Sequence, residues 1–365
     1  MTNKNTYHAI GLMSGSSLDG LDICYVEFVK NDLTFDYRIL KADCIEYTNE
    51  FRERLRNAAS LSAFEFAKLH TELGKYFGKL THEFIQKNEI ENLDFICSHG
   101  QTIFHQPNLE FTTQIGCGAQ IATQTNSKVV CDLRTSDVAN AGQGAPIVPI
   151  AEQYLFPDYK AFLNLGGIAN ISFRSEIDGE SAEKIIAYDI CAANTLLNYF
   201  AKQKDLDYDK DGNLARSGKL IPDLLNELNN IDFCKQTAPK SLGTEHIFSD
   251  WISLLDKYEN SIEDKLATAV EHIAMQVGNQ IKSEIRDLNS EMLITGGGAL
   301  NSFLVERIQF HSSVKVEVPD ILTVQYKEAL AMAFIGLLRI LETPNCLASV
   351  TGAKKDMIGG AVYLP

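Results

Sequence analysis

Residues Gly11 to Asp22 run Gly-Leu-Met-Ser-Gly-Ser-Ser-Leu-Asp-Gly-Leu-Asp, a set of residue types suited to holding a phosphate. Gly15 lets backbone approach an anion closely, Ser16 and Ser17 add hydroxyl donors, and Asp19 and Asp22 are placed to hold Mg2+ through water. The same spacing suits a plain hairpin in which Asp19-Gly20 only reverses the chain, and spacing alone does not separate the two. A second glycine cluster, Gly296-Gly297-Gly298, follows the apolar run Met292 to Thr295 and precedes a helical stretch from Ala299 to Phe310. Strand, glycine turn and helix in that order bring a ligand against the backbone amides at a helix start. Ser98-His99-Gly100-Gln101-Thr102 closes a third apolar run, Leu93 to Cys97. There Gln101 and Thr102 suit sugar hydroxyls, while His99 suits either a ligand or the bracing of its own loop.

Other chemistries find no support. Gly218-Lys219 is followed by Leu220 and lacks the upstream glycine of a P-loop, and Gly142-Gln143-Gly144 meets Ile147 where a dinucleotide fingerprint needs its third glycine. Asp207, Asp209, Asp211 and Gly212 open like a calcium loop, but its twelfth position, which needs a bidentate Glu, is Gly218. The segment is expected to be an acidic surface turn. The eight cysteines show no C-x-x-C pair and fit buried small apolar positions. A net charge of −15 argues against nucleic acid and anionic membrane as partners, so an anionic substrate would need a local positive charge.

The elements that must position these residues follow from periodicity. At 365 residues and 45% hydrophobic content, the chain can build about two domains. His8 to Met13 and Leu21 to Phe28 predict two strands around the glycine-serine turn, and Ala161 to Leu165 with Ile168 to Phe173 predict a second such hairpin around Gly166-Gly167. Two glycine-bearing hairpins are what a duplicated nucleotide-binding fold would produce. Ser60 to Asn88, Leu266 to Leu288 and Lys327 to Leu341 carry helical spacing, with Glu328 in the first turn of the last. Uninterrupted apolar runs stay well short of the roughly 20 residues of a membrane span, and the polar start Met1 to His8 lacks the pattern of a secretory signal, so a cytoplasmic protein is expected.

The N-terminal hairpin resembles the S-G-T-S-x-D-G-x-D signature of the anhydro-N-acetylmuramic acid kinases, with Ser16 in place of the threonine. Further matches follow in family order. They are Ser98 to Thr102, Asp132-Leu133-Arg134, Gly142-Gln143-Gly144-Ala145-Pro146 and Asn164 to Asn170, then Pro239-Lys240-Ser241, Thr295 to Asn301, Lys327-Glu328-Ala329 and Val350 to Ala353. The resemblance covers nearly the whole chain and implies an α/β fold of two actin-like, ribonuclease H-like lobes with ATP and sugar in the cleft between them. The implied first lobe is residues 1–140 plus roughly 343–365, and the second is 141–342.

It also implies a reaction in peptidoglycan recycling: water opens the 1,6-anhydro ring of anhydro-N-acetylmuramic acid while the γ-phosphate of ATP passes to O6. Asp189 falls where the family carries its catalytic aspartate, and Glu328 matches the glutamate at the sugar site. Gly15, Ser16, Ser17, Asp19, Gly20 and Asp22 would meet ATP and Mg2+ from one lobe, and Gly166 and Gly167 with Gly296, Gly297 and Gly298 from the other. His99, Gln101 and Thr102 would face the sugar, and Arg134 its lactyl carboxylate. A homodimer is what the family suggests. After Asp189 the chain runs Ile190-Cys191-Ala192-Ala193-Asn194 where the family has D-T-G-P-G-N, a loop expected to have less freedom to bring amides to a ligand. The competing expectations are an ATP-binding sugar sensor and a kinase for a related anhydro or N-acetylated sugar.

Overall fold

The computed structural model describes residues 4–15, 18–32, 34–176, 183–238, 240–285 and 289–365, so Ser16 and Ser17 of the expected phosphate turn lie outside the described residues. The chain divides into two units, residues 1–157 with 326–365 and residues 158–325.

In the first unit, β1 (Thr6–Met13) and β2 (Gly20–Lys30) form the expected hairpin, and β3 (Phe35–Glu46) adds a third antiparallel strand. β4 (Phe95–Ser98) pairs parallel to β1, a small side hairpin follows in β5 (Gln101–Gln106) and β6 (Phe111–Ile115), and β7 (Val129–Cys131) pairs parallel to β4. The main sheet runs β3-β2-β1-β4-β7, with a C-terminal strand, Ala361–Tyr363, added antiparallel beyond β7. The Ala63–Lys87 helix starts at Ser62, whose side chain accepts from the Glu65 amide, and buries Leu69, Leu73, Phe77, Leu80 and Phe84 on one face. Those residues pack on Ile10, Leu12, Leu21 and Ile23 of the sheet.

The second unit repeats this order. β8 (Ala161–Leu165), β9 (Ile168–Glu176) and β10 (Glu183–Ala192) form the antiparallel part, and β11 (Glu291–Thr295) and β12 (Lys315–Glu317) add parallel to β8. The sheet therefore runs β10-β9-β8-β11-β12, position for position the order of the first unit's β3-β2-β1-β4-β7. This is the ribonuclease H-like order, present twice, and it bears out the duplicated α/β fold expected from the two glycine hairpins. The Ile262–Glu284 helix, capped by Ser261, buries Leu266, Val270, Ile273, Val277 and Ile281 in the core; residues 286–288 of the longer expected helix lie outside the described residues. Within that core the Trp251 indole donates to His272 Nε2 at 3.0 Å, and His272 Nδ1 meets Asn229 Oδ1 at 2.8 Å. Burial holds the His272 ring neutral, its pKa lowered to about 3.

The divisions differ from the expected 140/141 and 342/343, and local packing gives the reason. Residues 141–157 stay with the first unit because Gly144 N donates to the buried Asp137 carboxylate and the Tyr154 and Phe156 rings pack on Phe35 and Tyr37. The Ile321–Ile340 helix has a non-helical residue at Tyr326, and from there onward it packs on the first sheet. A Cβ on Gly11 would fall 1.8 Å from the Ala329 carbonyl oxygen, so only glycine lets β1 lie flush against this helix. Glu328 is thus held next to the β1–β2 hairpin, in the first turn after the bend at Tyr326. The Ile321–Ile340 helix is long and apolar enough to cross a membrane by length and composition, but most of it is buried, as in a core helix.

Candidate active site

The described part of the β1–β2 turn is held from outside. Leu18 takes φ +59 and its amide donates to the Gly15 carbonyl at 3.2 Å, Arg52 Nε donates to the Leu18 carbonyl at 3.0 Å, and the Tyr47 amide donates to the Asp19 carbonyl at 3.0 Å. Ser14, fully buried, gives its one proton to Gln101 Oε1 at 2.5 Å, so the Tyr47 hydroxyl at 2.7 Å must be a donor to Ser14. Gln101 is therefore turned inward as a brace for the turn, and Thr102 Oγ1 accepts from Gln114 Nε2 at 3.3 Å.

Asp19 is exposed, and Asp22 is half-buried beside Cys44. Burial raises the Asp22 carboxyl above its usual range; the Cys44 thiol hydrogen bond opposes this, and the charge of Asp19 adds to it. No cluster of three or more His, Cys, Asp or Glu suited to a metal occurs among the described residues. Two neighbouring carboxylates, one of them made harder to ionise by the other, still fit Mg2+, which is commonly held by one or two carboxylates together with waters and phosphate oxygens.

His99, Arg134, Gly144, Asp137 and Thr351 form one connected network in the first unit. Arg134 Nε donates to His99 Nε2 at 2.9 Å, and Nη1 donates to the Gly144 carbonyl at 2.6 Å. The Gly144 amide donates to Asp137 Oδ2 at 2.7 Å, while Asp137 Oδ1 accepts from Thr351 Oγ1 at 2.8 Å. His99 Nδ1 meets the Gly100 carbonyl at 2.8 Å. Burial, with the Arg134 charge beside it, lowers the His99 pKa to about 3, so the ring is neutral and accepts through Nε2. Burial also lowers Arg134 to about 10, which leaves the guanidinium charged at neutral pH. Glu328 keeps an exposed side chain, yet the protein crowded around it raises its carboxyl; Lys327 opposes that shift, Asp22 adds to it and Arg134 opposes it. Asp22, Arg134 and Glu328 are thus electrostatic neighbours in one unit.

In the second unit Asp189 sits on β10 at a register shift between Asp189 and Cys191. Its Oδ2 accepts from the Leu242 amide at 2.8 Å and from Ser241 Oγ at 3.1 Å, while its own amide donates to the Lys240 carbonyl at 3.1 Å. No hydrogen bond to Oδ1 occurs among the described residues. Burial raises the Asp189 carboxyl, and the hydrogen bonds from Leu242 and Ser241 and the charge of Lys240 pull it back. Lys240 itself is buried, donating to the Phe233 carbonyl at 3.0 Å with its ammonium 4.8 Å from the centre of that ring. Pro239, the first residue of that matched triplet, lies outside the described residues.

Two glycine segments meet around Asn194. The amides of Ala193, Asn194 and Thr195 donate to the Gly166 and Gly167 carbonyls, and Asn194 Nδ2 donates to the Leu165 carbonyl at 2.8 Å. A Cβ on Gly298 would lie 3.0 Å from Asn194 Oδ1, so the Gly296–Gly298 turn lies against the same side chain. A Cβ on Gly166 or Gly297 would meet nothing closer than 3.6 Å, and neither has a positive φ. Neither packing nor backbone strain calls for glycine at these two positions. Bare backbone beside open space is what close approach of a ligand uses.

Two local expectations are corrected. The Gly296–Gly298 turn does not open an α-helix; Gly297–Leu300 is a short 3-10 turn, and the helix starts only at Ser302, where the Asn301 side chain caps it by accepting from Leu304 N at 3.0 Å. The residues that depart from the family pattern after Asp189 form no loose loop: Ile190, Cys191, Ala192 and Ala193 are fully buried, the first three on β10. The acidic segment is a turn, as expected, with Asp209 buried and its two oxygens accepting from Leu214 N and Ala215 N. Residue types gave no reason to single out Asp137 or Ser241, although Ser241 and Thr351 stand within matched motifs.

Two ribonuclease H-like sheets in tandem, each carrying a glycine hairpin at the position of its first two strands, define the actin-like class of two-lobed α/β ATPases and sugar kinases. A family model described as anhydro-N-acetylmuramic acid kinase matches residues 7–365. Relatives of that name include one from Picosynechococcus sp., 33% identical with 98% of this chain and 99% of the relative covered, and one from Pasteurella multocida, 34% identical with 98% and 97% covered. The chain belongs to the anhydro-N-acetylmuramic acid kinase family. Among solved structures, the activator of 2-hydroxyisocaproyl-CoA dehydratase from Clostridium difficile with bound ADPNP aligns over 92% of this chain and 96% of its own at a TM-score of 0.44 and 18% identity.

Proposed function

We propose that this sugar kinase uses ATP and water to convert anhydro-N-acetylmuramic acid into N-acetylmuramic acid 6-phosphate, in the recycling of cell-wall sugars. The observation that carries the reading is the setting of Asp189. Two donors fix one oxygen and favour the ionised form, burial makes the group more basic than an ordinary aspartate, and the other oxygen is left for water. In this scheme Asp189 Oδ1 takes a proton from water as the water oxygen bonds to the anomeric carbon. The bond from that carbon to O6 breaks, and O6 takes the γ-phosphoryl group while ADP leaves. One water and one ATP are consumed, and the proton is released when Asp189 is reset.

Glu328 is assigned to holding the sugar. Arg134, with Nη2 bound to no described residue, takes the lactyl carboxylate, the local cation that an acidic chain needs for an anionic sugar. Thr102 is assigned to a sugar hydroxyl, whereas His99 and Gln101 act through their neighbours. Gly15, Gly20, Ser16 and Ser17 are assigned to phosphate, and Gly166, Gly167 and Gly296–Gly298 to the nucleotide. Asp19 and Asp22 would hold Mg2+, whose charge offsets that of the triphosphate.

The sensor alternative drew on the altered residues after Asp189. The residues that stand there are buried in the core and form no loose loop, and the family match favours catalysis. A coupled ADP-release assay tests the function. ATP consumption should appear only when anhydro-N-acetylmuramic acid is added; sugar binding without ADP release would return the sensor reading.

A further inference from the structure

Arg134 is held at two of its three nitrogens by the protein, and the two anchors differ in kind. Gly144 offers a backbone carbonyl to Nη1, fixed in turn through Asp137 and Thr351. His99 offers a ring nitrogen to Nε, which works only in one tautomer, because a protonated Nε2 would present a hydrogen to the guanidinium instead of a lone pair. The contact from Nδ1 to the Gly100 carbonyl at 2.8 Å places the ring proton on Nδ1 and so frees Nε2 to accept. That carbonyl belongs to a residue at φ +72, whose Cβ would fall 2.7 Å from the Ile115 carbonyl oxygen, so glycine is required for the turn that locks the ring. His99 is 4% exposed and surrounded by this network, so it is removed from solvent while Arg134 remains half-buried.

With Nε and one proton of Nη1 occupied, both protons of Nη2 and the second of Nη1 have no partner among the described residues. That free end of a planar fork suits the two oxygens of one carboxylate. We infer that His99 is a positioning residue that selects acidic sugars, by holding the Arg134 guanidinium with its free end presented to the substrate carboxylate. The inference rests on the proposed role of Arg134, and it differs from direct contact of His99 with the sugar.

The test compares KM for anhydro-N-acetylmuramic acid with KM, or Ki, for 1,6-anhydro-N-acetylglucosamine, which lacks the lactyl group. His99→Phe keeps ring volume and removes both hydrogen bonds, His99→Asn keeps a donor toward Gly100 without an acceptor that reaches Arg134, and His99→Gln places an amide oxygen near the Nε2 position. His99→Phe and His99→Asn should raise KM for the acidic sugar about 10-fold or more, with kcat, KM for ATP and the constant for the neutral sugar within about 3-fold. His99→Gln should restore the acidic sugar to within about 3-fold of the parent. Equal weakening of both sugars by the folded His99→Phe and His99→Asn proteins, or no weakening of either, overturns the inference. Arg134→Gln is read separately: if it fails to distinguish the two sugars, the role of Arg134 falls, whatever the His99 variants do.

Discussion

Removing the Ser241 hydroxyl should make the base harder to ionise. Asp189 Oδ2 accepts two hydrogen bonds, from Leu242 N at 2.8 Å and from Ser241 Oγ at 3.1 Å, and the second disappears in Ser241→Ala. A hydrogen bond to a charged group contributes about 1.5–3 kcal/mol when well shielded. Ser241 is exposed and Asp189 only half-buried, so screening reduces the figure to about 1 kcal/mol. The bond favours the ionised form, so its loss raises the carboxyl further, in the direction in which burial already pushes it. A general base works only when ionised, and the acidic limb of the pH profile of kcat/KM must therefore move to higher pH. At a fixed pH on that limb, about 1 kcal/mol corresponds to about a fivefold loss of activity, while the plateau at higher pH should stay within about twofold of the parent. Stopped-flow or coupled ADP-release rates across the pH range would read this directly. A limb that stays in place or moves to lower pH refutes the reasoning, and a uniform loss at every pH would show that Ser241 touches substrate instead.

Asp189→Asn, which keeps the shape and an acceptor for Leu242 N, should lose at least about 1000-fold in sugar phosphorylation while calorimetry shows ATP binding within about threefold; retained turnover would remove the base. Gly166→Ala and Gly297→Ala should leave the melting temperature nearly unchanged, since each new Cβ would meet nothing closer than 3.6 Å, but should raise KM for ATP about 10-fold or more. Unchanged KM in both would move the nucleotide away from these turns. His272→Ala leaves the Trp251 indole without its acceptor inside the second core and opens a cavity, so denaturant unfolding should fall by about 3 kcal/mol or more with no change in KM; a loss under about 1 kcal/mol would mean the network relaxes freely.

Much of this was legible from residue patterns because it depends on local rules. Period-two runs around Gly15 and Gly166 marked both hairpins, and four-and-three spacing marked the Ala63–Lys87 and Ile262–Glu284 helices. What escaped depends on contacts distant in the chain. Nothing within Gln101 or its neighbours says that Ser14 will claim its carbonyl, and nothing in Asp137 says that it meets both Gly144 and, 214 positions away, Thr351. The helical expectation from Ala299 failed because Asn301 is a stronger cap than any residue of the glycine turn, so the helix waits for Ser302. The unit boundary moved for a similar reason. The bend at Tyr326 lies within one continuous helix, and only packing against Gly11 shows that the second half of that helix belongs with the first sheet. For the buried run after Asp189, substitution relative to the family pattern looked like damage to a loop, yet four small or apolar side chains at full burial are ordinary strand-end packing.

The most direct measurement is mass spectrometry of the sugar product formed from anhydro-N-acetylmuramic acid and ATP in heavy-oxygen water. Ring opening by a water that Asp189 activates predicts one heavy oxygen per product, at the anomeric carbon, with the phosphoryl group on an unlabelled O6. Heavy oxygen in the phosphate, or a phosphorylated sugar carrying none when analysed before the anomeric oxygen can exchange with solvent, would contradict it.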